Sequence, residues 1–557
     1  MIRIGVAQIN TTVGDLTGNA KRIIKAIDAA RERGANVVVF PEMTVCGYPP
    51  EDLLYKKHFI RKNADVLRSL RKYAKDMILI VGYVDFDKEG IYNAAAVLEK
   101  GKIAGVYRKE FLPNYGVFDE KRYFVAGSRN AVFRIGNVRA GISICEDIWL
   151  EDGVHRSQIK ASPDVLINLS ASPYDINKLE SRRKLLARRA REANAFVVYV
   201  NLIGGQDEIV FDGGSCAVDQ KGRCIASAKV FEEDLLLVDI PEPKQKKRFL
   251  KHEICLTTSH QQALSLKGRK EALPDRIEMV YKALVLGTRD YIQKNGFDKV
   301  VVGLSGGIDS SLVAKVAVDA LGSDKVIGVT MPSQYTSLGT RTDAGQMADN
   351  LGIEILEVAI DPVMKVYLES LKEGFKGMPA DAAEENIQAR IRGNILMGLS
   401  NKHGWIVLTT GNKSEMAVGY CTLYGDMSGG FAVIKDVYKT TVYELARYCN
   451  RQAGKDVIPQ SVIDRAPSAE LRPGQKDQDS LPSYDILDRI LIEYIEKHRS
   501  FEEIVRKVGD EKVVRQVLRL VDKSEYKRRQ APPGVKITPR AFGKDWRLPI
   551  TNGYKQY

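Results

Sequence analysis

The sequence predicts an α/β protein with two successive domains, a layered domain of mixed sheets followed by a doubly wound domain. Short apolar strands alternate with amphipathic helices from residue 1 to about residue 240, and longer helix–strand units follow from residue 275. The length of 557 residues also points to more than one core, because single domains commonly hold ~100–200 residues. With 44% hydrophobic residues, the composition is typical of a globular chain.

The first half contains eight apolar segments and three helical ones. We predict strands at 2–9, 36–42, 78–86, 92–109, 138–145, 165–171, 195–204 and 211–228, and helices at 18–34, 59–75 and 178–194. The character then changes, because PEPKQKKRFLKHE opens with two prolines and continues as a charge run. The predicted division is a domain at 1–245, a linker at 246–274 and a domain at 275–557.

The second half alternates helices and strands in longer units. We predict helices at 276–294, 310–321, 340–351 and 385–403, and strands at 299–304, 325–332, 354–360 and 405–410. These strands are continuous β-branched runs, which are typical of parallel strands buried on both faces. The pattern therefore predicts a doubly wound sheet with helices on both sides.

The composition argues against several classes of partner. The net charge of +13 comes from Lys and Arg spread along most of the chain, which does not favour nucleic acid as a partner. No stretch reaches ~18 uninterrupted apolar residues, so we expect no membrane partner. The seven cysteines form no CxxC pair, and MIRIGVAQIN lacks a basic segment before an apolar run. We therefore expect a cytoplasmic protein.

A glycine-rich loop, GLSGGIDSS at 303–311, follows a strand and opens a helix. At such a position free backbone N–H groups and the helix dipole bind anions. Gly306 and Gly307 allow close approach of the backbone, and the absence of GK[ST] excludes a Walker A loop. Asp309 would repel a phosphate unless a cation intervened, so the loop also predicts bound Mg²⁺.

SGGIDSS resembles the pyrophosphate-binding loop of the ATP pyrophosphatases, Rossmann-like enzymes that adenylate a substrate and release pyrophosphate. Residues 409–445 and ENIQARIR (385–392) resemble the NAD synthetase subgroup. The resemblance implies ATP as a co-substrate, contacted by Gly303, Leu304, Ser305, Gly306, Gly307, Ile308, Asp309, Ser310, Thr410, Lys439 and Ser468. It implies that deamido-NAD is bound by Asn386, Arg390, Glu415 and Lys527, and Mg²⁺ by Asp309 and Glu415. Leu423 departs from the pattern, because shorter ammonia-only members carry a lysine before YGD.

Three reactive side chains stand where predicted strands of the first half end. Glu42 follows VVVF, Lys109 ends VYRK and Cys145 ends GISI, so the three can meet at one edge of a sheet. A cysteine with an ordinary pKa of about 8.5 is a modest nucleophile at neutral pH. A glutamate can take its proton, and a lysine can stabilise both the thiolate and a developing oxyanion. Glu146 and Asp147 would disfavour a thiolate, which makes a nearby cation more necessary.

The motifs PEM, RKxxLPxY and CEDIW resemble those of the nitrilase superfamily, which has a Glu–Lys–Cys triad on an αββα sandwich. The resemblance covers roughly residues 1–240. It implies that Glu42 is the base, Lys109 the electrostatic partner and Cys145 the nucleophile. Glu120 matches the superfamily's second glutamate, and the positions that contact glutamine in fused members match Tyr115, Ser172 and Lys178.

A nitrilase-type amidase joined to an adenylating half resembles the glutamine-dependent NAD synthetases over nearly the whole chain. This implies ATP-dependent amidation of deamido-NAD to NAD with ammonia released from glutamine, in a homo-oligomer. Because ammonia is mostly ammonium at neutral pH, we also expect a shielded channel between the sites. Three alternatives remain: a ligase that amidates a different acid, a nucleotide-regulated module that binds RNA, and a synthetase with an inactive glutaminase half.

Overall fold

The computed structural model of the chain describes residues 1–128, 132–243, 250, 253–257, 266 and 268–554. These residues form two compact units, Met1–Pro274 and Asp275–Tyr557, each with its own core. Among the described residues, no helix has both the length and the apolar character needed to cross a membrane.

The first unit contains two large sheets and four α-helices. Its strands are β1 (Ile2–Gln8), β2 (Val37–Val39), β3 (Ile78–Phe86), β4 (Ile91–Glu99), β5 (Lys102–Arg108), β6 (Val132–Ile135), β7 (Val138–Ile144), β8 (Val165–Ser170), β9 (Phe196–Asn201), β10 (Ile203–Gln206), β11 (Ile209–Asp212), β12 (Cys216–Val218), β13 (Cys224–Ser227), β14 (Asp234–Ile240) and β15 (Ile254–Leu256). Its helices are α1 (Leu16–Glu32), α2 (Lys57–Leu70), α3 (Val154–Lys160) and α4 (Lys178–Ala193). The strand orders are β14-β1-β2-β3-β4-β5 and β13-β12-β9-β8-β7-β6-β15, with β10 and β11 as a separate hairpin.

The layers of this unit follow from the two-residue period of its strands. Residues on the inner faces, such as Ile4 of β1 and Ile142 of β7, share one buried cluster between the sheets. Residues on the outer face of the first sheet, such as Val38, pack against Ile23 and Ile27 of α1. On the second sheet, α4 covers the outer face. The expected αββα sandwich is therefore confirmed.

The second unit is built on one parallel sheet. Its strands are β16 (Val300–Gly303), β17 (Val326–Thr330), β18 (Glu354–Glu357), β19 (Ile406–Thr409) and β20 (Phe431–Ala432), in the order β18-β17-β16-β19-β20. Its helices are α5 (Arg276–Lys294), α6 (Ile308–Leu321), α7 (Leu338–Leu351), α8 (Asp361–Leu371), α9 (Ala382–His403), α10 (Lys413–Val418), α11 (Lys439–Ala453), α12 (Gln460–Asp464), α13 (Tyr484–Leu491), α14 (Phe501–Val508), α15 (Glu511–Lys523) and α16 (Glu525–Arg528). The strand order reverses beside β16, where doubly wound sheets bind ligands at their carboxyl edge.

The segment predicted as a linker contributes a short strand to the first unit. Most of its basic beginning lies outside the described residues, but β15 extends the second sheet by pairing in parallel with β6. Glu253, just before β15, accepts hydrogen bonds from Arg139 at 2.7 Å and from Arg134 at 3.0 Å. All three side chains are buried. The segment was predicted as a linker because a three-residue edge strand is too short to show a period-2 pattern.

The Glu253 anchor yields a stability prediction. We expect Glu253→Ala to destabilise the first unit by ~3 kcal/mol, because it removes a buried carboxylate that accepts hydrogen bonds from two buried guanidinium groups. Hydrogen exchange followed by mass spectrometry should show faster exchange in residues 132–144 and no change in the second unit. Glu232→Ala is the matched control, because Glu232 pairs with Lys229 on the surface. Equal exchange in the two variants would contradict the anchoring role.

Candidate functional site

Lys109 lies at the centre of a buried cluster in the first unit. It directly follows β5, and its Nζ lies 2.7 Å from Glu42 Oε1 and 2.8 Å from Glu120 Oε1. Burial acts to lower the pKa of Lys109, but the two carboxylates outweigh it and raise that pKa well above its ordinary value. Lys109 is therefore a permanent ammonium inside the protein.

The two glutamates are held by further donors. Asn93 Nδ2 donates to Glu42 Oε1 at 2.6 Å, and the Ala171 N–H donates to Glu42 Oε2 at 2.8 Å. Tyr48 donates its hydroxyl to Glu120 Oε1 at 2.8 Å. Burial raises the pKa of Glu120 to about 7, although Lys109 opposes the rise. Neither Asn93 nor Tyr48 was predicted. The sequence signal for Asn93 is a polar residue inside the apolar segment YNAAAVLE.

Cys145 opens a short 3-10 turn directly after β7, with a φ of +42°. A positive φ is unusual for a residue with a Cβ, and it is typical of side chains held at a functional turn. Burial, followed by the charge of Glu42, raises the pKa of the Cys145 thiol well above its ordinary value, while Lys109 opposes the rise. The cysteine is therefore a thiol at rest, beside both a base and a cation.

Of the two acids that follow the cysteine, Glu146 acts on the thiol as expected. Its charge also raises the pKa of Cys145. Asp147 instead accepts hydrogen bonds from the backbone N–H groups of Ile144 and Phe111, both at 2.9 Å, and from the Tyr107 hydroxyl at 2.7 Å. The Asp147 carboxylate thereby caps the turn that carries Cys145.

Two of the three predicted glutamine contacts, Tyr115 and Ser172, adjoin residues around this cluster, and the third is Lys178. Tyr115 donates its hydroxyl to Glu146 at 2.9 Å. Ser172 is buried and directly follows Ala171, which binds Glu42 through its N–H. Lys178 begins α4 and places its ammonium 4.2 Å from the centre of the Trp149 ring. Their role in binding glutamine stays a prediction.

A cavity of about 690 Å³ opens at the carboxyl edge of the sheet in the second unit. Its lining includes every residue predicted to contact ATP and all but one of those predicted to bind deamido-NAD: Gly303, Leu304, Ser305, Gly306, Gly307, Ile308, Asp309, Ser310, Asn386, Thr410, Glu415, Lys439, Ser468 and Lys527. Arg390 is the exception, because it is exposed and donates to the Leu423 carbonyl at 3.2 Å. Arg392, two positions further along α9, lines the cavity instead.

Lys439 occupies the most charged part of this cavity. Its ammonium is paired with Asp309 and lies 3.2 Å from Glu415 Oε1. Asn412, which was not predicted, donates to Asp309 Oδ1 at 3.0 Å and caps α10 by accepting from the Glu415 N–H. Burial raises the pKa of Glu415 to about 8, opposed by Lys439. The two carboxylates thus converge on one position that already holds a positive charge.

Together, the two units define a class of enzyme: an amidase with a Glu–Lys–Cys cluster joined to a nucleotide-binding α/β domain. The family model described as carbon-nitrogen hydrolase matches residues 3–245, and the one described as NAD synthase matches residues 280–531. The chain belongs to the glutamine-dependent NAD(+) synthetase family. This confirms the function and the fold predicted from the sequence.

Two curated relatives and one solved structure show the extent of the similarity. The glutamine-dependent NAD(+) synthetases of Thermotoga maritima and Aquifex aeolicus are each 48% identical to this chain, covering 100% of it and 99% and 100% of their own lengths. The structure of the glutamine-dependent NAD+ synthetase from Acinetobacter baumannii in complex with ADP is 40% identical. It covers 100% of this chain and 99% of its own, with a TM-score of 0.76.

The glycine loop yields a prediction about nucleotide binding. Gly306 has a φ of +72°, and a Cβ there would lie 2.1 Å from the Thr340 carbonyl oxygen. We expect Gly306→Ala to displace the loop and to lower ATP-dependent turnover about 100-fold, measured as AMP release. Gly345→Ala, on α7 with open space around its position, is the control. Unchanged turnover in Gly306→Ala would show that the loop does not hold the nucleotide.

Proposed function

We propose that this chain amidates deamido-NAD to NAD with ammonia from glutamine, and that the residues described above perform the two half-reactions. Glutamine and ATP are consumed, and glutamate, AMP and pyrophosphate are released. One observation carries the assignment of residues: the buried Glu42–Lys109–Cys145 cluster and the glycine loop at 303–311 occur in one chain of this family.

In the first half-reaction, Cys145 is the nucleophile. As its sulfur attacks the side-chain amide carbon of glutamine, Glu42 accepts the thiol proton and Lys109 stabilises the negative charge on the carbonyl oxygen. The proton then passes to the amide nitrogen, the C–N bond breaks, and ammonia leaves a γ-glutamyl thioester. Glu42 next takes a proton from water, the resulting hydroxide cleaves the thioester, and the proton returns to the sulfur as glutamate leaves.

In the second half-reaction, the nicotinate carboxylate of deamido-NAD attacks the α-phosphorus of ATP. Pyrophosphate leaves into the loop at 305–311, where the N-terminal N–H groups of α6 stabilise its charge. An acyl adenylate results. Ammonia then attacks the acyl carbon, the acyl C–O bond breaks, and AMP leaves with formation of the amide after loss of a proton. Thr410, Ser468 and Lys527 line the same cavity and are proposed contacts of the two nucleotides.

We further propose that Asp309 and Glu415 hold Mg²⁺. Their oxygen ligands suit this hard cation, and the ammonium of Lys439 between them supports a position that favours positive charge. When bound, the ion would neutralise phosphate oxygens of ATP. Asn412 orients Asp309 and caps the helix that carries Glu415, so it fixes the separation of the two carboxylates.

The separation into two sites predicts the behaviour of a cysteine variant. We expect Cys145→Ala to lose NAD formation with glutamine and to keep it with ammonium, because the variant lacks only the nucleophile of the first half-reaction. The assay supplies ATP, Mg²⁺ and deamido-NAD. Cys46→Ala is the matched control, since Cys46 is a second buried thiol of the same unit. If the wild type forms no NAD from either donor, the acid substrate is a different one.

The proposed Mg²⁺ ligands yield a second prediction. We expect Asp309→Asn to lower NAD formation from either nitrogen donor by about 100-fold at saturating ATP, and to raise the Mg²⁺ concentration needed for half-maximal rate. Asp319→Asn on the same helix is the control, since Asp319 pairs with Lys315 away from the cavity. A wild-type Mg²⁺ dependence in Asp309→Asn would remove Asp309 from the metal site.

A further inference from the structure

Asn93 is the third residue of β4 and is completely buried beside the catalytic cluster. Its Nδ2 lies 2.6 Å from Glu42 Oε1 and 3.4 Å from Glu120 Oε2, so one amide reaches both glutamates. Its backbone carbonyl accepts the Lys109 N–H at 2.8 Å. Asn93 is therefore in contact with each member of the Glu42–Lys109–Glu120 group.

The orientation of this amide follows from its surroundings. Both neighbouring groups are carboxylates that share Lys109, so the NH₂ end must face them and the carbonyl end must point away. Within the part of the chain that the structure describes, Asn93 Oδ1 has no hydrogen-bond partner. A buried acceptor without a partner costs ~1–3 kcal/mol. An apolar side chain would avoid this cost, so the presence of asparagine points to a task for its donor.

The charged groups around the Asn93 amide indicate what its hydrogen-bond donor does. Lys109 reaches the group from the end of β5, Glu120 from a 3-10 turn, and Cys145 and Glu146 from the turn after β7. Tyr48 adds a neutral donor on the side of Glu120. Two carboxylates in a dry site would share a proton unless donors stabilise both charges. Lys109 supplies one such donor to each, and Asn93 supplies the second donor that both can reach.

We propose that Asn93 is a positioning residue of the glutaminase reaction, which holds the Glu42 carboxylate in place to accept the Cys145 proton while Glu120 stays bound to Lys109. The proposal rests on the proposed function of the first unit. Of the carboxylates near the thiol, Glu42 has the largest electrostatic effect on Cys145. Because a hydrogen bond to a carboxylate favours its charged form, loss of the Asn93 donor should raise the pKa of Glu120 further, beyond the rise that burial already causes.

The test compares Asn93→Ala and Asn93→Asp in the full-length protein. For Asn93→Ala we expect kcat for glutamine hydrolysis to fall ~10–100-fold with little change in KM, and the acid limb of the pH profile to move up by about one pH unit. Asn93→Asp keeps the shape of the side chain but replaces the donor by an acceptor, so its loss should be larger. NAD formation from ammonium should stay at the wild-type rate in both.

Asn63 provides the matched control. It is buried in α2 of the same unit, donates to the Val84 carbonyl at 2.8 Å, and also has an Oδ1 without a partner among the described residues. Asn63→Ala should lower the melting temperature but leave the pH profile of glutamine hydrolysis unchanged.

Four outcomes would count against these proposals, and they are distinguishable. A wild-type kcat and pH profile in Asn93→Ala would overturn the positioning role, as would an equal shift of the profile in Asn63→Ala. If Asn93→Ala does not fold, the isosteric Asn93→Asp decides, because full activity there would equally overturn the role. Absence of glutamine hydrolysis by the wild type would instead contradict the proposed function itself.

Discussion

A lysine ammonium buried between two carboxylates organises the site of the first unit. Burying Lys109 alone would cost several kcal/mol, so its position is tenable only because Glu42 and Glu120 lie within 3 Å of it. The dependence is mutual, since the two glutamates would repel each other in a dry site without the lysine. Glu42 and Lys109 lie shortly after strands β2 and β5, and Glu120 lies in a 3-10 turn. These backbone positions bring the lysine and the two glutamates together.

The second unit uses the same arrangement for a different purpose. Lys439 pairs with Asp309 from the glycine loop and with Glu415 from α10. In the first unit the carboxylates are closed in by Asn93, Tyr48 and the Ala171 N–H, whereas here they line an open cavity of about 690 Å³. A closed cluster suits proton transfer at a fixed thiol. An open one leaves the carboxylates accessible to a phosphate-bound cation.

The main residues of both sites could be predicted from the sequence, because each belongs to a short motif that can be recognised on its own. Glu42, Lys109 and Cys145 each follow an apolar run, which marks them as residues at strand ends. The expectation that they share one sheet was wrong, because β2 and β5 lie in the first sheet and β7 in the second. The partners that hold them could not be predicted in this way, because their role depends on contacts between distant segments. Tyr48 reaches Glu120 across 72 positions, and Asp147 accepts hydrogen bonds from the Phe111 N–H and the Tyr107 hydroxyl, 36 and 40 positions away. Such contacts leave no periodic signal.

The two arginines of α9 show where a motif alone is insufficient. Both occur in ENIQARIR, and the resemblance points to Arg390. On a helix that turns roughly 100° per residue, Ala389 and Leu396 lie near the middle of the face that lines the cavity. Arg392 lies about 60° from that middle and Arg390 about 100°, so only Arg392 falls within the face. The Arg390 side chain instead bends toward the Leu423 carbonyl. Leu423 is also the residue at which the sequence departs from the pattern of the resemblance, so this departure and the contact of Arg390 fall on the same residue.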